Sequence, residues 1–252
     1  MTHISKGSHI GAILSVADIV AVLYADILKY DSSNPKMHDR DRLILSKGHA
    51  GAAIYAALAE CGFFNIEELK THYGNGSRLS GHVSHKGVPG VEFSTGSLGH
   101  GLSVAAGMAL AAKKNDKKYR IFSIIGDGEC DEGAVWEAAL FANQYCLSNL
   151  TVIVDHNKMQ SLDFCENTIK LEPFSDKWRA FGWRVINIDG HNHDELREAL
   201  SHTKTNCPTV IIANTIKGKG ISFMENDILW HYRTPQGEEY DRAVAELEAQ
   251  RP

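Results

Sequence analysis

Asp127 lies between two glycines just after the apolar run Tyr119 to Ile125, and Asn157 follows the run Leu150 to Asp155 about thirty residues later. One carboxylate and one amide oxygen, completed by backbone carbonyl and phosphate oxygens, suit a hard cation such as Mg²⁺ or Ca²⁺. A softer metal would call for His or Cys. Gly126 and Gly128 let the backbone turn sharply and approach a ligand closely. A helix starting near Asp131 would offer its free N–H groups to an anion. The segment therefore implies a phosphorylated cofactor held through a cation. The simpler reading is that Asp127 caps a helix and Asn157 fills a turn; the interval, the strand context at both ends and the nearby Glu132 count against it. A dinucleotide site is disfavoured, because G-D-G-E-C-D is not G-x-G-x-x-G.

Such a site needs a frame that brings strand ends together. Strand-like runs occur at Arg42 to Leu45, Tyr119 to Ile125, Leu150 to Asp155, Trp183 to Ile188 and Thr209 to Asn214. Helical patterns occupy 14–29, Ala52 to Glu60, roughly 102–114 and 132–146, Asp176 to Phe181, Asp194 to His202, and Glu238 to Gln250. Apolar strands alternating with helices predict an α/β fold, a parallel sheet covered by helices on both faces. No linker or repeat divides the chain, so one domain over 1–252 is expected. Asp127 and Asn157 then lie at carboxyl ends of strands, where ligands bind in such folds. Residues 72–101 hold eight glycines and four histidines with little periodicity. So long a loop within a compact domain is usually functional.

With 43% hydrophobic residues, the 252-residue chain can bury a full core. A net charge of −5, spread along the chain, argues against nucleic acid as a partner. The basic stretch Lys113 to Arg120 is interrupted by Asp116 and reads as a solvated helix end. Five cysteines without a C-x-x-C pair indicate reduced thiols in the cytoplasm. The early apolar stretch Ile19 to Leu28 is short and carries Asp26, so no membrane span is expected.

G-D-G followed about thirty residues later by N resembles the diphosphate-binding motif of thiamine diphosphate enzymes. The remaining motifs resemble the N-terminal domain of transketolases: G-S-H-I-G around His9, S-K-G-H-A from Ser46, Gly81-His82, P-G-V-E-F-S-T-G-S-L-G-H-G from Pro89, K-G-K-G from Lys217, and Trp230-His231. They keep the family's order over nearly the whole chain.

The resemblance implies roles one position at a time. Asp127 and Asn157 would ligate the metal by side chain, and Met159 by its backbone carbonyl. Gly128 would lie against the diphosphate, with His49 and His231 bonding it or standing between it and substrate. His9 and His82 would reach the donor sugar's hydroxyls. Gly96, Ser97 and Leu98 would meet the aminopyrimidine through backbone atoms. Glu132 and Glu137 would stand at a subunit interface, in a carboxylate and water network that links two cofactors. Catalysis would then fall to His9, His82, His231 and Glu132, the histidines moving protons near neutral pH.

Some positions depart from the family pattern. Ile10 replaces a proline, Ser97 and His100 replace the proline and glutamine of T-G-P-L-G-Q-G, and His156 replaces an asparagine. No metal ligand is lost, and the role of His100 stays open. The family also needs a pyrimidine-binding domain carrying the glutamate that activates the cofactor, and nothing after Asn214 reads as one. A separate C-terminal transketolase subunit in an α2β2 assembly is therefore expected, acting on sugars or sugar phosphates. The α subunit of a 2-oxoacid dehydrogenase shares G-D-G and the asparagine, but S-K-G-H-A and the late W-H favour transketolase. A deoxyxylulose-phosphate synthase shares more motifs but normally keeps its domains on one chain. A non-catalytic binding subunit is opposed by the intact metal pair and motif histidines.

Overall fold

The computed structural model describes residues 1–201 and 206–250. Its elements run α1 (Ile10–Ser15), α2 (Ala17–Val22), β1 (Arg42–Leu45), α3 (Gly51–Glu60), α4 (His100–Lys114), β2 (Ile121–Gly126), α5 (Gly133–Gln144), β3 (Leu150–His156), α6 (Phe174–Ala180), β4 (Arg184–Asp189), α7 (His193–Ser201), β5 (Thr209–Asn214) and α8 (Glu238–Glu248). All five strands are parallel and lie in the order β1-β2-β3-β5-β4.

Alternate residues of each strand serve opposite faces. On one face Phe122, Ile124, Ile153 and Ile211 pack with α2, α3 and α7 through Ile19, Leu58 and Leu196. On the other, Ile121, Ile125, Val152, Val154 and Ile212 pack with α4, α5 and α6 through Ala105, Ala139 and Phe174. Burial on both faces explains why these strands read as unbroken apolar runs. A smaller cluster of Ile221, Met224, Trp230 and Ala243 holds the C-terminal segment against Ile10 and Leu14 of α1.

The single helix expected over 14–29 is instead three pieces. Val16 leaves helical geometry at φ −101°, ψ 0°, and Leu23–Ile27 widens into a π-type turn. Apolar periodicity survives such a break, because α1 and α2 still bury neighbouring stripes. The helix expected from near Asp131 is α5, preceded by a short turn. Gly128–Asp131 form a tight 3₁₀ turn whose first N–H is capped by Asp127, and α5 starts at Gly133. From His72 to Gly99 the chain is mostly irregular and leads into α4. The expected end of α7 at His202 falls outside the described residues. No described helix is long and apolar enough to cross a membrane.

Candidate active site

Because the strands are parallel, the segments after β1, β2, β3 and β5 emerge at one edge of the sheet. They supply Lys47 and His49, Asp127 to Glu129, Asn157 with Met159 and Gln160, and Lys217 respectively. With His9, His82, Gly96, Leu98 and His231 these residues form a cavity of about 280 Å³. The crevice at the carboxyl ends is where α/β sheets bind ligands. A larger cavity of about 750 Å³ adjoins it, but its lining of His156, Lys158, Glu166 and Glu172 shares only Asn157.

Close backbone approaches hold the walls. A Cβ on Gly48 would overlap the Thr95 carbonyl oxygen, and one on Gly101 would overlap Ser46 Oγ. His9 precedes α1 in the left-handed region at φ 72°, an uncommon state for a non-glycine residue. Its N–H donates to the His231 carbonyl at 2.9 Å, so the C-terminal segment fixes the N-terminal one.

Four imidazoles converge on this cavity. The His9 ring centroid lies 4.8 Å from His231, 5.1 Å from His49 and 5.6 Å from His82. Burial, then positive neighbours, lower His9 to about 4 and His231 to about 3. His49 is driven well below its usual value by burial and the Lys47 charge, and burial also lowers His82 at the exposed rim. The rings of His9 and His231 are thus neutral at pH 7. Nδ1 of each is buried with no partner among the described residues, so both are free to bond a ligand.

Beneath the histidines lies a buried charge network. Lys47 and Asp155 form an ion pair, with side chains 4% and 0% exposed. Asp155 also accepts from Ser15 Oγ at 2.6 Å, from Thr215 Oγ1, and from Asn157 Nδ2 at 3.1 Å. Burial would raise the Asp155 carboxyl; the Lys47 ammonium and the hydroxyl donors outweigh that and hold it below the usual range. Asn157 Nδ2 donates to Ser15 as well, at 3.1 Å. These two bonds assign the Asn157 amide nitrogen to the network and leave Oδ1 on the other side.

Asp127 is 2% exposed, and its two oxygens accept from Gly128 N at 2.7 Å and Lys158 N at 2.5 Å. Each carboxylate oxygen keeps acceptor capacity beyond those bonds. Burial and the nearby Asp155 charge push the Asp127 carboxyl up, which a bound cation would relieve. Lys217 Nζ donates to the Gln160 carbonyl at 2.7 Å and to that of Met159 at 3.4 Å. Burial and the Lys47 charge lower Lys217 to about 8, leaving it mostly protonated at pH 7. Among the described residues no cluster of three or more His, Cys, Asp or Glu could hold a metal. A cation would instead draw on Asp127, the Asn157 amide oxygen and the Met159 carbonyl, a hard oxygen set. Two lysines and two unpartnered imidazole nitrogens beside it fit a diphosphate.

Of the residues singled out in sequence, His9, His49, His82, Gly96, Leu98, Asp127, Gly128, Asn157, Met159 and His231 all line this cavity. Ser97, Glu132, Glu137 and His100 fall outside its lining, and all four are exposed. His100 Nδ1 lies 3.0 Å from the Leu98 carbonyl, bracing the loop rather than facing the cavity. Glu132 backs the same loop, since a Cβ on Gly99 would meet the Glu132 Cβ at 2.7 Å. Motif and spacing assigned no role to Lys47, Glu129, Asp155, Gln160 or Lys217. Both lysines stand within quoted motifs, each followed by glycine, which was their available signal.

A cavity at the carboxyl edge of a parallel sheet, with an oxygen cation set beside lysines and neutral histidines, defines a diphosphate-binding α/β protein. Residues 2–243 match the family model described as "Transketolase, thiamine diphosphate binding domain". The chain belongs to that family. It is 47% identical over 242 residues to the 6-deoxy-6-sulfo-D-fructose transketolase subunit SqwG of Clostridium sp. (strain MSTE9), covering 95% of this chain and 88% of that protein. It is 43% identical over 245 residues to an apulose-4-phosphate transketolase subunit of Phocaeicola vulgatus, covering 96% and 87%. The structure superposes on transketolase from Leishmania mexicana with a TM-score of 0.90 at 31% identity, covering 98% of this chain and 39% of that one.

Proposed function

We propose that this chain is the diphosphate-binding subunit of a two-chain, thiamine diphosphate-dependent transketolase. The enzyme transfers a two-carbon ketol unit from a ketose or ketose phosphate to an aldose or aldose phosphate. Residues 1–252 form the diphosphate- and metal-binding domain, and a C-terminal subunit supplies the pyrimidine domain in an α2β2 assembly. Supporting the split, two relatives that this chain matches over most of their length are named as subunits, and their substrates as sugars bearing a sulfo or phosphate group. A cytoplasmic setting fits five free cysteines. The observation that carries the reading is the convergence of His9, His49, His82 and His231 over Asp127, Asn157, Lys47 and Lys217 in one cavity.

Bound thiamine diphosphate supplies the electron sink that lets the carbon–carbon bond beside a ketose carbonyl break. Asp127, Asn157 and the Met159 carbonyl would hold Mg²⁺ or Ca²⁺ against the diphosphate. Gly128 lets the diphosphate approach the backbone, and Lys47 and Lys217 contribute positive charge. The Gly96-Ser97-Leu98 backbone would receive the aminopyrimidine, with Gly96 and Leu98 in the cavity lining. Neutral His9 and His231 can each hydrogen-bond a sugar hydroxyl, their lowered basicity setting them apart from the near-neutral proton carriers expected from sequence, while His82 at the rim meets the incoming sugar. Glu132 and Glu137, just before and on α5, would stand at a subunit interface within the assembly, in a carboxylate and water network that links its two cofactors.

The test is to purify the chain alone and with its partner subunit, then assay ketol transfer with thiamine diphosphate and Mg²⁺. Activity is expected only from the pair, and Asp127→Ala in the pair should abolish metal-dependent cofactor binding. Full activity from the single chain would overturn the split, and oxidative decarboxylation of a 2-oxoacid would overturn the reaction.

A further inference from the structure

Glu129 stands one residue beyond the Gly126-Asp127-Gly128 turn, yet it is only 2% exposed. Its carboxylate collects donors from three separate parts of the chain. Oε2 accepts the Gly126 N–H at 3.0 Å, which closes the turn on itself. Oε1 accepts the Gly99 N–H at 2.8 Å and the Ser46 hydroxyl. Ser46 Oγ in turn accepts the Gly101 N–H at 3.0 Å. One buried carboxylate therefore ties the end of β2 to the end of β1 and to the loop that enters α4.

Those segments form two different walls of the cavity, Asp127 and Gly128 on one and Gly96 and Leu98 on the other. Gly99 sits at φ 80°, and the loop contacts the strand ends where glycine alone leaves room. Its distance from the Asp127 turn is thus set largely by the length of the Glu129 side chain and by which oxygen faces which donor. Lys47, the nearby cation, pairs with Asp155 and leaves Glu129 to the N–H and O–H donors.

We propose that Glu129 is a positioning residue that sets the span between the cation-and-diphosphate end of the cofactor site and the loop that receives the cofactor's ring. This rests on the function proposed above. A ligand that reaches both walls depends on the span, whereas a ligand confined to the Asp127 wall does not. Glu129→Gln keeps the size but offers one acceptor oxygen and one NH₂ group. Of the carboxylate's partners only Ser46 Oγ can accept from the NH₂, so the amide oxygen stays on the Gly126 N–H, the turn stays closed, and the Gly99 N–H of the loop is released.

The experiment is calorimetric titration of the assembled two-subunit complex in Mg²⁺, with thiamine diphosphate and separately with inorganic diphosphate. For Glu129→Gln the affinity for thiamine diphosphate is expected to fall by about tenfold or more, the scale of one lost hydrogen bond to a charged group. The affinity for inorganic diphosphate should stay within about twofold of wild type, on the additivity expected for separate contacts. A merely structural defect would weaken both ligands alike, and that result overturns the role, as does unchanged thiamine diphosphate binding. If Glu129→Gln does not fold, Ser46→Ala removes the loop-side hydroxyl with its bonds to the Glu129 carboxylate and the Gly101 N–H, leaves the Gly126 link intact, and should show the same split at about tenfold, the scale of a bond to a charged group. A wild-type complex that binds no thiamine diphosphate overturns the proposed function and the clamp with it. A failure confined to the variants' pattern overturns the clamp alone.

Discussion

Replacing Asp155 by Asn tests the charge network under the cavity most directly. Asp155 is fully buried, and Lys47 is 3% exposed. The substitution keeps the volume and removes the charge, so the Lys47 ammonium stays buried without its counterion. Breaking one side of a buried pair costs ~3–5 kcal/mol, because the remaining charge is desolvated and uncompensated. Ser15, Thr215 and Asn157 also lose a charged acceptor, but these losses overlap with the first and do not add to it. At ~2–4 °C per kcal/mol for a chain of this size, the melting midpoint should fall by ~6–20 °C. The double variant Asp155→Asn/Lys47→Met removes the orphaned ammonium, so it should be less destabilised than the sum of its parts by ~0.5–3 kcal/mol. Reversible urea unfolding at pH 7, followed by circular dichroism, gives all four corners of this cycle. A loss below about 1 kcal/mol for Asp155→Asn, the scale of an exposed pair, would refute the reasoning. So would strict additivity.

Two further outcomes follow from the same geometry. Folding lowers His9 to about 4 and His231 to about 3 from 6.5, so between those values the unfolded chain binds protons that the folded chain does not. Stability should therefore be full above about pH 6.5 and decline as the pH falls towards 4. NMR titration should show both rings flat from pH 7.5 to about 5.5, and an inflection near 6.5 assigned to either would count against their burial. Gly48→Ala drives a methyl against the Thr95 carbonyl, which as backbone cannot step aside, and should cost ~1–3 kcal/mol. Gly107→Ala, on α4 with nothing within 4 Å of the new Cβ, should instead gain ~0.5–1 kcal/mol. Urea midpoints moving the same way for both would show that the close approach is not what demands glycine.

The chain's pattern was enough to place the frame. Doubly buried strands read as continuous apolar runs, and all five occur within two residues of where those runs lie. The Asp127 turn and Asn157 were legible because glycine spacing and an oxygen-bearing residue at a strand end are local signals. The motif histidines were legible through resemblance, although nothing in their spacing showed that His9 would lie 4.8 to 5.6 Å from the rings of three distant segments. Local signals misled where geometry changed without changing periodicity. Val16 breaks a helix whose apolar stripe continues across it.

Sequence alone thus determined the parallel α/β frame, the Gly126-Asp127-Gly128 turn and the transketolase resemblance, all of which depend on neighbours along the chain. Only the tertiary structure decided how the polar groups pair. Asp155 meets Ser15 across 140 positions and Lys47 across 108, and Glu129 meets Ser46 across 83. Those partners depend on which strand ends stand side by side, and the order β1-β2-β3-β5-β4 sets that. A buried Asp or Glu carries no periodicity of its own, so the desolvation that makes Asp155 and Glu129 consequential is visible only once the sheet has closed around them.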